Sequence, residues 1–284
     1  MTDKYIMEQM QKHWKCALEL FPEDRIVGLF IQGSQNYYLE DEESDIDTKL
    51  LVVPSVEDIV LNRKAESTTY YIKDGKLVYD EDSKATAEHM DAKDIRLYWG
   101  TLKKANINFV EILFARCKIV NPMYEALWNE VEEIREDIAY MNPLAAMKAM
   151  MGMVNEKYFA LTHKYPSRVY WLDTYGYDPK QLHHLIRIQM FMEQYIHGHF
   201  RYESLVRGDH LMDEEKRWLI DMKRTGVGIL EQAQCMADYY KGQMEDLYNK
   251  AKGKYSGEAD EFVVDKMDSL MADIVKLSIK KEIL

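Results

Sequence analysis

The sequence predicts an α/β domain with a small mixed β-sheet, followed by an all-α helical domain. Three observations predict it. Two short runs rich in branched residues, "RIVGLFIQ" (25–32) and "IDTKLLVV" (46–53), have the length and composition of strands. The polar stretch "TTYYIKDGKLVYDEDS" carries an Asp74-Gly75 turn signal at its centre, as a β-hairpin does. From Asn121-Pro122 onward almost every segment has helical periodicity, punctuated at Asn142-Pro143, Tyr165-Pro166, Asp178-Pro179, Gly208 and Gly226. The expected division is 1–120 for the α/β domain and 121–284 for the helical one.

The elements follow in order. Residues 5–20 place Ile6, Met10, Trp14, Ala17 and Leu18 on one face of a helix. The two strands and the hairpin come next. "KATAEHM" reads as a further strand on which Thr86, Glu88 and Met90 share a face, and Asp94 caps a helix that runs toward Ala105. In the helical region, "PKQLHHLIRIQMFMEQYI" begins well, with Asp178 before it and Pro179 in its first turn. Its Lys180, His184 and Arg187 stand at i, i+4 and i+7, within about 60° of one another around the axis. They form a line of cations and hydrogen-bond donors suited to phosphate oxygens, beside the apolar Leu182, Leu185, Ile186 and Met190.

Composition narrows the function classes. A chain of 284 residues, 47% hydrophobic, is long enough for one large or two ordinary domains with ample core. Its apolar runs reach about eight residues, far short of a membrane span. The opening "MTDKYIMEQMQKHWKCALELFPED" is amphipathic and mixed in charge, unlike a secretory signal. Cys16, Cys117 and Cys235 stand far apart without metal-like spacing, which fits reduced thiols in a cytoplasmic protein. A net charge of -12 argues against non-specific attachment to nucleic acid.

The chemistry concentrates in "GLFIQGSQNYYLEDEESDIDTKLLVVP". Alternation along a strand projects Asp45 and Asp47 from the same face, roughly 6.6 Å apart along the backbone. Two carboxylates brought to about 4 Å would repel by about 4 kcal/mol at an effective dielectric of 20, so a core gains nothing from them. A divalent cation removes that penalty, and hard oxygen ligands at this spacing suit Mg²⁺ completed by water and phosphate. At the end of the preceding strand, Gly33 allows close backbone approach to a ligand, and Ser34 with its neighbouring amides can hold a phosphate. Glu40, Asp41, Glu42 and Glu43 read as a solvated turn. An EF-hand loop is excluded because "DEESDIDT" lacks its central glycine.

Gly-Ser-x10-Asp-x-Asp between two strands resembles the signature of the nucleotidyltransferase superfamily that includes DNA polymerase β. More narrowly, "GSQNYYLEDEESDIDTKLLVVP" resembles the predicted nucleotidyltransferases found in phages and beside bacterial RNA-repair genes. "DIRLYWGTLKKANINFVEILFA", with Asn106 and Glu111, and "GYDPKQLHHLIRI" are similar to two further segments of that family. The departures are Gln35 where an arginine usually follows Gly-Ser, and Tyr38 in place of a glycine.

The resemblance implies a cytoplasmic enzyme that moves a nucleoside monophosphate from a nucleoside triphosphate, ATP being the expected donor, to a hydroxyl acceptor, releasing pyrophosphate. It implies two Mg²⁺ ions, with Mn²⁺ as a substitute. Asp45 and Asp47 would be metal ligands, Gly33 and Ser34 phosphate contacts, and the helix of Lys180, His184 and Arg187 would face the nucleotide. A third carboxylate is expected on a later strand, where Glu88 is the choice and Asp91 the alternative. The acceptor stays open among an RNA end, a protein and a small molecule. A sensor that binds nucleotide without turnover, or an RNA-end recognition module, are the rival readings. His197 and His199 lack a third zinc ligand at metal spacing, and "TGVGIL" lacks the strand and glycines of a dinucleotide site.

Overall fold

The computed structural model of the chain describes residues 1–40, 44–165 and 168–283. The expected turn at Asp41, Glu42 and Glu43 and the break at Pro166 lie outside them.

Helix α1 (Asp3–Leu20) starts at Thr2, whose side chain accepts from the Tyr5 amide, and buries Ile6, Met10, His13, Cys16 and Ala17. Leu18 falls off that face and is 40% exposed. Strand β1 (Ile26–Gln32) runs into a 3₁₀ turn over Gly33–Gln35, and β2 (Asp47–Val52) follows. A capping box between Ser55 and Asp58 opens the short α2 (Val56–Val60). In the predicted hairpin of β3 (Ser67–Lys73) and β4 (Lys76–Val78), Asp74 and Gly75 have φ of 52° and 73°, the doubly positive geometry of a type I′ turn.

One helical turn, α3 (Glu81–Lys84), occupies the start of "KATAEHM", so β5 (Glu88–Asp94) begins two residues later than Thr86. Asp94 then caps α4 (Ile95–Leu102) by accepting from the Arg96 amide, as its position in the sequence predicts. After α5 (Ile107–Val110) and a 3₁₀ turn, β6 (Lys118–Val120) completes the sheet. The remainder is helical: α6 (Glu125–Glu133), α7 (Arg135–Tyr140), α8 (Pro143–Ala160), α9 (Val169–Tyr175), α10 (Pro179–His197), α11 (Tyr202–Val206), α12 (Asp213–Thr225), α13 (Leu230–Lys252) and α14 (Glu261–Ile283). Among the described residues no helix is long and apolar enough to cross a membrane.

The sheet has the order β4-β3-β5-β2-β1-β6. Only β2 and β5 run parallel, and the other pairs are antiparallel, so the sheet is mixed. Register sorts its side chains onto two faces. Leu29 and Ile31 of β1, Leu50 and Val52 of β2, and Met90 and Ala92 of β5 form one core with Ile6, Met10, Cys16 and Ala17 of α1. On the opposite face, Phe30 and Leu51 are fully buried, with Trp128 of α6 packed on Phe30 at 4.7 Å between ring centroids. Beyond them that face turns polar, toward the C-terminal end of β1 and the N-terminal ends of β2 and β5.

Two compact units divide the chain, one of Met1–Lys104, Asn108–Met141 and Ala259–Leu284, the other of Ala105–Ile107 and Asn142–Glu258. The sheet's unit therefore runs past residue 120 and takes in α6, α7 and α14. Burial explains the reach of α14: Met267, Leu270 and Ile274 lie inside this unit, the Trp99 indole donates to the Met267 carbonyl at 2.7 Å, and Lys103 pairs with Asp268. In the other unit α10 is the central element, packed against α8, α12 and α13, with Leu182, Leu185, Ile186, Phe191 and Met192 buried.

Candidate active site

The polar end of the sheet holds the candidate site. Ile46 is buried in the α1 core while Asp45 on one side of it is exposed, and Asp47 on the other is 36% exposed at its side chain. Strand β2 begins only at Asp47, so Asp45 and Ile46 precede it rather than belong to it. The His89 amide donates to Asp47 Oδ1 at 3.2 Å, and His89 Nδ1 stands 3.6 Å from the same oxygen.

Lys49, two residues on, projects from the same face but is buried. Its ammonium lies 3.7 Å from Asp91 Oδ2 and 4.6 Å from the centroid of the Phe109 ring. Burial pushes the Lys49 pKa down, and the Asp91 carboxylate opposes that. Asp91 pairs in register with Lys49 and with Thr69, so β2, β5 and β3 bring all three side chains together. The Thr69 hydroxyl donates to Asp91 Oδ1 at 2.5 Å, and the Gln32 amide reaches Oδ2 at 3.4 Å from β1. Burial alone would raise the Asp91 pKa. The Thr69 hydroxyl, the Lys49 ammonium and the Gln32 amide outweigh burial and hold it below the ordinary carboxylate value.

Glu88 belongs to the other face, which corrects its assignment as third carboxylate. It shares parity with Met90 and Ala92, whose side chains enter the α1 core. There Glu88 Oε2 lies 3.1 Å from Nε2 of the fully buried His13, whose Nδ1 meets the Thr48 hydroxyl at 2.9 Å. This group ties α1 to β2 and β5 beneath the sheet. Asp91, the alternative, is the β5 acid on the face of Asp47. The sequence carried the signal: in "EHMDAKD" the apolar residues Met90 and Ala92 mark the buried parity, leaving His89, Asp91 and Lys93 on the polar one.

Gly33 has φ +80°, a left-handed conformation that costs glycine little and other residues much. Past it the chain turns tightly: the Asn36 amide donates to the Gly33 carbonyl at 3.0 Å, and the Tyr37 and Leu39 amides donate to the Ser34 carbonyl. Gln35, almost fully buried, donates its side-chain amide to the Asp45 carbonyl and so ties the turn to the first aspartate. Glu40 is not the solvated turn residue expected: its side chain is 7% exposed and pairs with Arg116 at 2.9 Å.

Lys180, His184 and Arg187 lie on one side of α10, whose N-terminus is capped by Asp178 as predicted. Lys180 is exposed, His184 half-buried and Arg187 buried. Burial first, then the neighbouring His183, Arg187 and Lys180, push the His184 pKa well below its ordinary value. His184 is therefore neutral at pH 7, and the charge of the line rests on Lys180 and Arg187. The rings of His197 and His199 stack at 6.1 Å between centroids.

His183, beside this line, gives a pH test of the helical unit. Burial pushes its pKa down to about 3, and Nδ1 lies 2.8 Å from the Leu219 carbonyl. A histidine in the unfolded chain titrates near 6.5, so between pH 6.5 and about 3 the unfolded state binds a proton that the folded state does not. Stability is then present above 6.5 and falls with pH through that window, by up to about 1.4 kcal/mol per unit. Urea titrations at pH 7 and pH 5 should show a loss that is smaller by roughly 1–2 kcal/mol in His183→Asn, the remainder coming from His184 and His210, whose pKa values burial also pushes down. An equal pH dependence in both proteins would rule His183 out as its source.

Carboxylate oxygens of Asp45 and Asp47 suit a hard divalent cation. Among the described residues, no group of three or more His, Cys, Asp or Glu side chains gathers to hold a metal unaided.

A solved structure similar to this chain is that of a nucleotidyltransferase-like protein from Exiguobacterium sibiricum 255-15, with 12% sequence identity and a TM-score of 0.32 over 97% of this chain and 92% of that one. No family model and no curated protein matches the chain.

Proposed function

We propose that the protein is a Mg²⁺-dependent nucleotidyltransferase that moves a nucleoside monophosphate from a nucleoside triphosphate, ATP in the first instance, to a hydroxyl acceptor. The observation that carries this reading is the shared polar face of Asp47 and Asp91 at the sheet's end, with the Gly33–Ser34 turn tied to Asp45 through Gln35. The sequence motif Gly-Ser-x10-Asp-x-Asp supports it. When bound, Mg²⁺ neutralises triphosphate charge and lowers the pKa of a coordinated hydroxyl.

In this reading Asp45 and Asp47 would hold Mg²⁺, and the Ser34 hydroxyl and nearby amides would hold phosphate oxygens. Asp91, kept ionised by Thr69, Lys49 and Gln32, takes the proton from the acceptor hydroxyl. The acceptor oxygen bonds to the α-phosphorus, the bond from that phosphorus to the bridging oxygen breaks, and pyrophosphate leaves. Incubation with labelled nucleoside triphosphates, Mg²⁺ and candidate acceptors tests the reading through pyrophosphate release. Saturable binding without turnover would mark a nucleotide sensor, and no binding would reject both.

The sequence resemblance alone extends the proposal to Lys180 and Arg187 of α10 as contacts to the triphosphate's outer phosphates. Arg187→Ala should weaken triphosphate binding by about 1.5–3 kcal/mol, the scale of a charged hydrogen bond. Lys180→Ala should cost somewhat less, because an ammonium lacks the guanidinium fork. Monophosphate affinity should hold. Calorimetric titration of both variants with a non-hydrolysable triphosphate and a monophosphate decides it, and wild-type triphosphate affinity in both would strike the two residues from the proposal.

A further inference from the structure

Arg116, in the segment before β6, belongs to no motif, yet its backbone and side chain both bond the turn after β1. Its backbone amide donates to Asn36 Oδ1 at 2.8 Å. Its guanidinium Nη1 donates to the Gln35 carbonyl at 3.2 Å and to Glu40 Oε1 at 2.9 Å. Nε donates to Asp3 Oδ1 at 2.6 Å, Nη2 to the Met1 carbonyl at 3.1 Å, and the plane lies 4.1 Å from the Tyr38 ring centroid. One side chain, 9% exposed, thus grips the turn at Gln35, Tyr38 and Glu40, while its own amide holds Asn36. The Asn36 side chain in turn donates to the Glu111 carbonyl at 3.2 Å.

These contacts fix a turn that its local sequence does not favour. Tyr38 has φ +56°, a left-handed conformation that a bulky residue adopts only when its surroundings hold it there. Arg116 stacks on that ring and bonds the backbone three residues earlier. The opposite end of the same turn presents Ser34 and, through Gln35, positions Asp45. Arg116 bonds the Gln35 carbonyl while the Gln35 side chain bonds the Asp45 carbonyl, so two hydrogen bonds link the arginine to the first aspartate.

We infer that Arg116 is a positioning residue that holds the Gly33–Glu40 turn in its phosphate-receiving form and sets Asp45 through Gln35. The inference rests on the reading of that turn as the phosphate contact. Arg116 touches neither substrate nor reacting atoms. Its loss acts through the order of the turn, so it falls on the triphosphate rather than on the nucleoside.

Arg116→Lys keeps the charge and removes the planar fork, and Glu40→Gln keeps the shape of the turn's own partner and removes its charge. Hydrogen exchange at the Asn36, Tyr37 and Leu39 amides reports the turn without any nucleotide. Calorimetry with a non-hydrolysable triphosphate and the matching monophosphate reports binding. In Arg116→Lys the turn amides should exchange about tenfold faster with core sheet amides unchanged, and triphosphate affinity should fall about tenfold, the size of one charged hydrogen bond, with monophosphate affinity kept. Glu40→Gln should move both readouts the same way by a smaller factor.

Turn amides at wild-type rates in both variants would overturn the inference. So would faster exchange with unchanged triphosphate affinity, an outcome that leaves the proposed function standing. Equal loss for triphosphate and monophosphate would reduce Arg116 to a structural role. A wild-type protein that binds no triphosphate would reject the proposed function and this inference together.

Discussion

Asp47→Asn is expected to lower nucleotidyl transfer by about 10³-fold or more, the upper range for one group that stabilises charge in the transition state. Asp45→Asn should do the same. The fold should survive, because the asparagine oxygen at position 47 can still accept from the His89 amide. Removing one of two like charges also relieves repulsion, so the melting temperature without metal should hold or rise slightly. Near-normal pyrophosphate release by either variant with Mg²⁺ would defeat the proposed function. Unfolding would instead make the aspartates structural.

Asp91→Asn is expected to have two effects that can be separated. Turnover should fall at least a hundredfold, roughly the contribution of a positioned base. Stability should fall too, because Lys49 is left buried without its partner. Losing one member of a buried pair costs about 3–5 kcal/mol, and the 31% exposure of the Asp91 side chain brings the expected loss to roughly 2–3 kcal/mol. Adding Lys49→Met should restore stability and leave turnover low. Recovery of both would mean that Asp91 acts only as a counter-ion. Glu88→Gln, on the α1 face, should keep turnover within a few-fold of wild type. A hundredfold loss there would return the third-carboxylate role to Glu88.

Much of this fold was legible because its signals are local. Branched runs gave β1 and β2, Asp74-Gly75 the hairpin, and Asp94 and Asp178 the caps. The β5 acid was misplaced although alternation was read correctly there. Thr86, Glu88 and Met90 share a parity, but the apolar Met90 and Ala92 of "EHMDAKD" mark that parity as the one that enters the α1 core. His13 showed no special character in the sequence because its partners, Thr48 and Glu88, come from two other strands. Arg116 was invisible for the same reason: it meets Gln35 81 residues away in the chain. Helical periodicity predicted that α14 exists but carries no information on which unit it joins.

The return of α14 to the sheet has a consequence for how the chain is made. The unit holding the sheet is an interrupted domain, completed only when residues 259–284 are available, while residues 142–258 form a unit of their own earlier in the chain. During N-to-C synthesis, Trp99 must wait for the Met267 carbonyl, and the apolar surface that meets Leu270 and Ile274 must wait as well. The segment bearing the candidate site thus emerges from the ribosome before the helical unit and is completed after it. Once residues up to 258 have emerged, the helical unit has all of its residues while the sheet's unit still lacks α14, which makes this stage of translation the natural point for chaperone engagement.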